Sequence, residues 1–220
     1  MRRVYLVRHA DVRYADVQGR PVPVDSVSLT DAGRAQARAL RDALSRVPLD
    51  RAIVSGLPRT IETAAIVLDT RTLRYETRAE LQEIRPGRLD AVPADRLEAE
   101  FTRALHRPVS AADRFLNGET WGEMQARALP CFREALADPA WKHLLVVAHG
   151  GVNRVLLLDA LGLGLEGLGG IEQDPACLNV IDVEAESRPV VRLLNHTAYD
   201  PVKETLVETT MQRLFRSFQR

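Results

Sequence analysis

Three short apolar runs constrain the fold of this chain most strongly, because each leads through polar or glycine residues into a helical pattern. The runs have the length and character of buried strands and are Val4 to Val7, Arg51 to Ser55 and Leu144 to Ala148. The helical patterns that follow them lie at 32–46, 59–68 and 152–161. This alternation predicts a three-layer α/β/α sandwich, in which helices cover both faces of a mainly parallel central sheet.

The length of 220 residues supports one substantial core, so we interpret residues 1–220 as a single domain. Further elements are expected as helices at 94–106 and 121–137, strands at 177–183 and 190–194, and a C-terminal helical segment at about 203–218. The apolar residues of that last segment suit packing on the domain or a homodimer contact, and they are Leu206, Met211, Leu214, Phe215 and Phe218.

Charge and cysteine content narrow the function classes. Lys plus Arg and Asp plus Glu are balanced at 30 each, which argues against general affinity for nucleic acid or an anionic membrane. No run approaches the ~20 apolar residues that span a bilayer. The two cysteines, Cys131 and Cys177, form neither a disulfide framework nor a metal cluster and are typical of a reducing compartment. We therefore expect a cytoplasmic protein with no nucleic-acid or membrane partner.

The residues whose side chains could take part in catalysis lie at the ends of the predicted strands. Arg8-His9, Ser55-Gly56 and His149-Gly150-Gly151 should meet at one edge of the sheet, where open α/β sheets bind ligands and helix N-termini favour anions. Phosphoryl transfer needs positive charge on the equatorial oxygens, which Arg8 and Arg59 can supply as bidentate donors. An unprotonated imidazole can attack phosphorus, and this reasoning leaves His9 and His149 open as the nucleophile.

Several motifs resemble those of the histidine phosphatase superfamily, the phosphoglycerate mutase-like proteins. The segment LVRHAD at 6–11 is similar to that family's LVRHGE signature, and VVAHGGVNR at 146–154 is similar to V-V-x-H-G-G-x-I-R. Between them, in the family's order, lie SLTDAGRAQA (28–37), SGLPRTIETA (55–64), LQEIRPG (81–87) and GET (118–120). The six segments span about residues 3–160, and the resemblance implies the phosphoglycerate mutase-like fold.

The resemblance also implies residue roles. His9 becomes the nucleophile, and Arg8, Arg59 and His149 form the phosphate pocket. Glu83 becomes the general acid that protonates the leaving oxygen and then the base for hydrolysis of phosphohistidine. Gly150 and the Ser55 hydroxyl complete the predicted substrate-binding residues. No metal or other cofactor is implied.

The chain departs from the family pattern at three positions after the nucleophile. The usual glycine is Ala10, so the backbone there must accommodate a Cβ atom. Family members often place Thr and Asn shortly afterwards to help hold phosphate, and those positions are Val12 and Ala15 here. We therefore expect a phosphate pocket that lacks two of the family's contributions.

The function implied is that of a metal-free phosphoric monoester hydrolase of the histidine acid phosphatase type, acting on a small phosphorylated metabolite. The alternatives are a cofactor-dependent phosphoglycerate mutase, a protein-phosphohistidine phosphatase and a non-catalytic docking module. The family's mutases carry a longer insertion than the one at about 84–118, which favours the phosphatase. In this site-covering insertion one or two arginines could bind a second anionic group, and most are expected to be solvated helix charge. The six are Arg85, Arg88, Arg96, Arg103, Arg107 and Arg114.

Overall fold

A central sheet organises the computed structural model, which describes residues 1–217 except 15, 17, 19, 21, 70, 89–91, 185 and 186. Within those residues the sheet has six strands in the order β3-β2-β4-β1-β5-β6. The strands are β1 (Arg2–Arg8), β2 (Arg51–Val54), β3 (Tyr75–Thr77), β4 (His143–Ala148), β5 (Leu178–Val183) and β6 (Val190–His196). The pairs β1·β4, β4·β2 and β2·β3 are parallel, whereas β5 is antiparallel to both neighbours.

Helices cover both faces of this sheet. They are α1 (Asp31–Ala43), α2 (Pro58–Leu68), α3 (Leu97–His106), α4 (Trp121–Ala137), α5 (Gly150–Leu161) and α6 (Thr210–Ser217). Short 3-10 turns occur at Ala79–Leu81, Ala94–Arg96 and Leu165–Gly170. The predicted α/β architecture with a mostly parallel sheet is confirmed.

The two central strands are apolar on both sides because each side faces a helical layer. On one side Leu6 and Val146 belong to the core that α4 and α5 complete. On the other, Val7 and Leu145 pack into the core completed by α1 and α2. A strand turns successive side chains to opposite faces, so continuous apolar runs are what a covered parallel strand requires.

Strand register brings the three predicted strand ends together. Arg8 pairs with Ala148 between β1 and β4, so the next residues, His9 and His149, leave the sheet side by side. Ser55 follows β2 at the same level, since its N–H donates to the carbonyl of Val147 on β4.

Several boundaries differ from the sequence prediction. Helix α5 begins at Gly150, two residues early, because the two glycines continue the helix instead of forming a turn before it. The C-terminal helix begins at Thr210, whereas the prediction had a helical segment from about 203; Asp200 bonds the backbone of Glu204 and Thr205 and holds that stretch in turns. Strand β3, a short edge strand of exposed residues, was not predicted.

The C-terminal apolar residues pack on the domain. Met211, Leu214 and Phe215 join Phe101 of α3 and Leu116 in one hydrophobic cluster. Phe218 of the predicted segment lies outside the described residues, and a homodimer contact stays a prediction.

Two motif glycines, Gly87 and Gly118, hold the 84–118 segment closed at its base. A Cβ atom at Gly87 would lie 2.2 Å from the Leu116 carbonyl oxygen, and one at Gly118 would lie 2.2 Å from the Arg85 carbonyl oxygen. Only glycine permits such close approach of two backbones. The segment therefore returns upon itself beside the sheet edge that carries the histidines.

Candidate active site

The predicted catalytic residues lie together at the carboxyl ends of β1, β2 and β4. The His9 and His149 rings meet edge to face, with centroids 5.2 Å apart. Arg59, in the first turn of α2, and Arg8, the last residue of β1, are both buried beside them. Gly150, at the start of α5, lines a cavity that Arg8 and Arg59 also line.

The His9 ring is held as a neutral imidazole with one free nitrogen. Its Nδ1 lies 2.8 Å from the Ala10 carbonyl oxygen, which can only accept, so Nδ1 carries the proton. Burial lowers the pKa of His9 well below its ordinary value, and the cations Arg59 and Arg8 lower it further. Nε2 therefore keeps its lone pair at neutral pH, as a nucleophile must.

A chain of hydroxyl groups fixes the orientation of His149. The Thr60 hydroxyl donates to the Leu57 carbonyl at 2.8 Å, and the Ser55 hydroxyl lies 3.0 Å from Thr60 Oγ1 and 2.7 Å from His149 Nε2. If each hydroxyl donates once, Ser55 donates to Thr60 and accepts from His149 Nε2–H. Nδ1 of His149 is then left unprotonated and without a protein partner.

These hydrogen bonds affect the predicted roles of His149 and Ser55. Burial lowers the pKa of His149 well below its ordinary value, with Arg59 and His9 adding to the effect. Ser55, predicted to touch substrate, is fully buried and uses its hydroxyl on Thr60 and His149. That geometry favours a positioning role for Ser55, and direct contact with substrate stays a prediction.

Both arginines are tied by one nitrogen and leave another unbonded. Arg8 donates from Nη1 to the Gln173 carbonyl at 2.6 Å and to the Thr210 hydroxyl at 3.0 Å. Arg59 donates from Nη1 to the Val24 carbonyl at 2.6 Å. The Nε atoms of both guanidinium groups are buried and lack a hydrogen-bond partner.

Unsatisfied polar atoms are concentrated around His9. Of the four buried side-chain atoms without a partner in the described part of the chain, three are Arg8 Nε, Arg59 Nε and His149 Nδ1. Buried donors are almost always satisfied, and each orphan carries a penalty of about 1–3 kcal/mol. Two buried cations with free donors beside a neutral imidazole form a site that is suited to an anion.

Hydrogen bonds from two backbone N–H groups hold the Glu83 carboxylate near His149. Its carboxylate accepts from the N–H of Ile84 at 2.9 Å and from the N–H of Gly151 at 3.0 Å. Arg127 of α4 fixes the segment behind it, since its guanidinium donates to the Glu83 carbonyl at 3.0 Å and pairs with Glu119. The structure thus places the predicted acid at the N-terminus of α5, next to His149.

A cavity of about 700 Å³ opens beside the two arginines and Glu83. Arg8, Arg59, Glu83 and Gly150 line it, and residues of the 84–118 segment and of α6 form other parts of its wall. That the 84–118 segment covers the site stays a prediction.

The six arginines of that segment have different surroundings. Arg85 and Arg88 line the cavity. Arg103 and Arg107 both pair with Asp113. Arg114 donates to the Gly118 carbonyl at 2.7 Å, and Arg96 is the N-cap residue of α3. Of this set, Arg85 and Arg88 are thus the two in the cavity lining, and binding of a second anionic group stays a prediction.

The departures from the family pattern are accommodated in the core. Ala10 is fully buried and donates its N–H to the Thr63 hydroxyl at 3.1 Å; among described non-glycine residues, positive φ occurs elsewhere. Val12 pairs with Leu29 in an isolated β-bridge and packs beside Ala10. Ala15 lies outside the described residues.

Sequence reasoning missed three residues at the site. Tyr14 lines the cavity, with its ring centroid 5.8 Å from the Arg59 guanidinium carbon. Gln173 and Thr210 hold Arg8, although they lie 165 and 202 residues away from it in the chain. The tyrosine sits close to the His9 motif and could have been noticed, whereas nothing local marks the other two.

Two further observations concern metal binding and membrane insertion. Among the described residues, no group of three or more His, Cys, Asp or Glu side chains is arranged to bind a metal ion. The helices within the described ranges are all too short or too polar to cross a bilayer.

The chain is similar in sequence and in structure to known proteins. The family model described as the histidine phosphatase superfamily (branch 1) matches residues 4–197. A Hydrogenobacter thermophilus protein, named as a phosphoserine phosphatase, is 31% identical over 206 residues, covering 90% of this chain and 98% of the relative. A Yersinia pestis protein, named as a phosphoglycerate mutase, is 31% identical over 165 residues, covering 74% and 76%. The solved alpha-ribazole phosphatase from Shigella flexneri superposes with a TM-score of 0.73 at 24% identity, covering 88% and 96%.

Proposed function

Since this chain belongs to the histidine phosphatase superfamily, we propose that it is a metal-free phosphomonoesterase that acts on a small phosphorylated metabolite through a phosphohistidine at His9. The observation that carries the proposal is the neutral His9 ring, with Nδ1 bonded to Ala10, close enough to Arg59 and Arg8 for their charges to lower its pKa, while the Nε atoms of both arginines are unbonded. An anion bound by these donors would present its phosphorus to the His9 lone pair.

In the first half-reaction, Nε2 of His9 attacks phosphorus and the bond from phosphorus to the ester oxygen breaks. Glu83 in its protonated form gives its proton to the leaving oxygen, so the product is a neutral alcohol. Arg8 and Arg59 bind the remaining oxygens, and His149 adds a donor to one of them when the bound anion brings a proton to its Nδ1. A cation about 4 Å from a negative charge contributes roughly 4 kcal/mol at an effective dielectric near 20, so two arginines supply much of the stabilisation.

In the second half-reaction, water attacks the phosphohistidine and the bond from phosphorus to Nε2 breaks. The Glu83 carboxylate accepts the proton of that water, and inorganic phosphate leaves. His9 returns to its starting form, since Nδ1–H remains bonded to Ala10 throughout. One carboxyl group thus serves as acid and then as base.

The first experiment measures phosphate release from p-nitrophenyl phosphate in excess EDTA, with wild type and His9→Ala. We expect activity that survives EDTA and is lost in the variant. Brief incubation with labelled substrate followed by quenching should trap acid-labile, alkali-stable phosphate on the wild type. His149→Ala is the matched control, because it should still form some phosphoenzyme if His9 is the nucleophile.

The role of Glu83 has a separate test. Glu83→Gln keeps the size of the side chain and removes the proton that catalysis needs. We expect its loss of kcat/KM to be at least tenfold greater for an alkyl phosphate than for p-nitrophenyl phosphate, whose leaving group needs little protonation. Equal losses for both substrates would contradict the assignment.

Other outcomes would change the proposal. If a bisphosphoglycerate stimulates the enzyme, and phosphate moves between positions of the substrate without being released, the protein is a mutase. Failure of p-nitrophenyl phosphate and of a panel of phosphorylated metabolites in the folded wild type would favour a docking module. A cytoplasmic location belongs to the same proposal and is supported by two free cysteines, which a reducing compartment preserves.

A further inference from the structure

The cavity continues from the phosphate-binding residues along an apolar wall that the proposed chemistry does not use. Its members come from α3, the start of α4 and the loop before it, and α6; they are Phe101, Phe115, Leu116, Trp121, Met211 and Leu214. We call this set the apolar wall.

The apolar wall begins beside the proposed acid. A Cβ atom placed on Gly151 would lie 2.5 Å from Glu83 Oε1 and 3.5 Å from Trp121 Cζ3, so the indole and the carboxylate border the same point of α5. From Trp121 the aromatic rings continue through Phe115, 6.2 Å away, to Phe101, a further 6.5 Å between centroids. The group that leaves with the ester oxygen would therefore meet aromatic side chains.

The outer part of the apolar wall is fixed to the phosphate site. The Thr210 hydroxyl at the start of α6 binds Arg8, and Arg213 pairs with the buried Asp174. These contacts place Met211 and Leu214 over the cavity, where both are only half-buried by the protein. Half-buried apolar side chains beside a catalytic centre provide area that a ligand can cover.

The size and charge of the cavity limit which substrates it can bind. About 700 Å³ falls in the range of pockets that hold drug-sized ligands, well above the needs of phosphoserine or phosphoglycerate. Of the further arginines in the lining, Arg154 is committed to Glu172, while Arg85 and Arg88 are exposed. A carboxylate at the inner end of the apolar wall would lose water without gaining a cation there.

Building on the proposed function, we propose that the apolar wall binds the alcohol part of the substrate, and that the preferred substrates are monophosphates of apolar or aromatic alcohols of about six carbons or more. Met211 and Phe115 act in this as specificity-determining residues. The phosphoryl group is held by the arginines, and the apolar wall selects what it is attached to.

The test compares ethyl, butyl and hexyl phosphate, whose leaving groups have nearly equal basicity and differ in apolar length. Each added methylene that is buried should raise kcat/KM by up to about fourfold. Binding is measured separately by calorimetry with methyl-, butyl- and hexylphosphonate, in which a carbon–phosphorus bond replaces the ester. Affinity should rise along this series with an increasingly negative heat-capacity change.

Variants assign the effect to the apolar wall. Met211→Gln keeps the side-chain length and adds an amide, and it should lower the hexyl-to-ethyl ratio of kcat/KM by about tenfold. Met211→Leu should retain the wild-type ratio. Val207→Gln is the matched control, because Val207 is 85% exposed in the same part of the chain and should leave the ratio unchanged.

The outcomes separate this proposal from the function on which it rests. A flat alkyl series in an enzyme with His9-dependent activity would overturn the role of the apolar wall and leave the phosphatase intact. A preference for phosphoserine or 3-phosphoglycerate over hexyl phosphate would also overturn it and point to Arg85 and Arg88. If no ester is hydrolysed but phosphonate affinity still rises with chain length, the proposed function fails and the apolar binding site stands.

Discussion

The two buried histidines should make the stability of the folded protein fall as pH decreases below about 6.5. Burial and the neighbouring arginines lower the pKa of His9 and of His149, while in the unfolded chain both return to about 6.5. The unfolded state then binds more protons, and stability is lost as pH falls below the unfolded value. Between pH 7.5 and 5.5 each ring that stays neutral contributes a loss of about 1.4 kcal/mol, so the two together contribute about 2.7 kcal/mol.

Urea denaturation of wild type and His9→Asn, at several pH values in this window, measures the effect. The variant should lose about half as much stability as the wild type on acidification, whatever its absolute stability. Ion-paired carboxylates do not interfere: hydrogen bonds from Arg3 and Arg51 lower the pKa of Asp182 and Glu76, whose contributions are lost only below about pH 4.5. Identical pH slopes in both proteins would refute the neutral, buried state of His9.

Three further predictions concern the site. Gly151→Ala should displace the Glu83 carboxylate, whose Oε1 lies 2.5 Å from the new Cβ, and reduce activity on alkyl phosphates more than on p-nitrophenyl phosphate; Gly170→Ala, whose new Cβ would have no atom within 4 Å, is the control. Thr210→Val should lower kcat/KM about tenfold by removing one of the two hydrogen bonds that position Arg8, with recovery in Thr210→Ser, because a charge-assisted hydrogen bond contributes about 1.5–3 kcal/mol. Inorganic phosphate at 100 times its Kd should stabilise the folded protein by about 2.7 kcal/mol, measured as a rise in Tm that is absent if no anion binds.

The layered fold could be predicted because its signal is local. Val4 to Val7 and Leu144 to Ala148 are apolar throughout, and only a strand covered on both faces requires that pattern. Boundaries were less certain where the decisive contact is distant. Nothing between Lys203 and Thr209 shows that Asp200 will bond the backbone there and delay the last helix.

The site, too, could be predicted only in part from the sequence. Arg8, His9 and His149 were identifiable because they end parallel strands, and strand ends converge in any such sheet. Motif glycines Gly87 and Gly118 recur in the family pattern for a reason that only the structure shows, namely that each would clash with the other's backbone segment if it carried a Cβ atom. Hydrogen-bond assignments such as Nδ1–H of His9 depend on one carbonyl, that of Ala10, and no pattern of residue types predicts them.

The contact between Arg8 and Thr210 joins the first strand to the last helix, across 202 residues of sequence. It has a functional consequence, since α6 also carries Met211 and Leu214 into the cavity. A change in α6 would therefore alter both the grip on phosphate and the space for the alcohol.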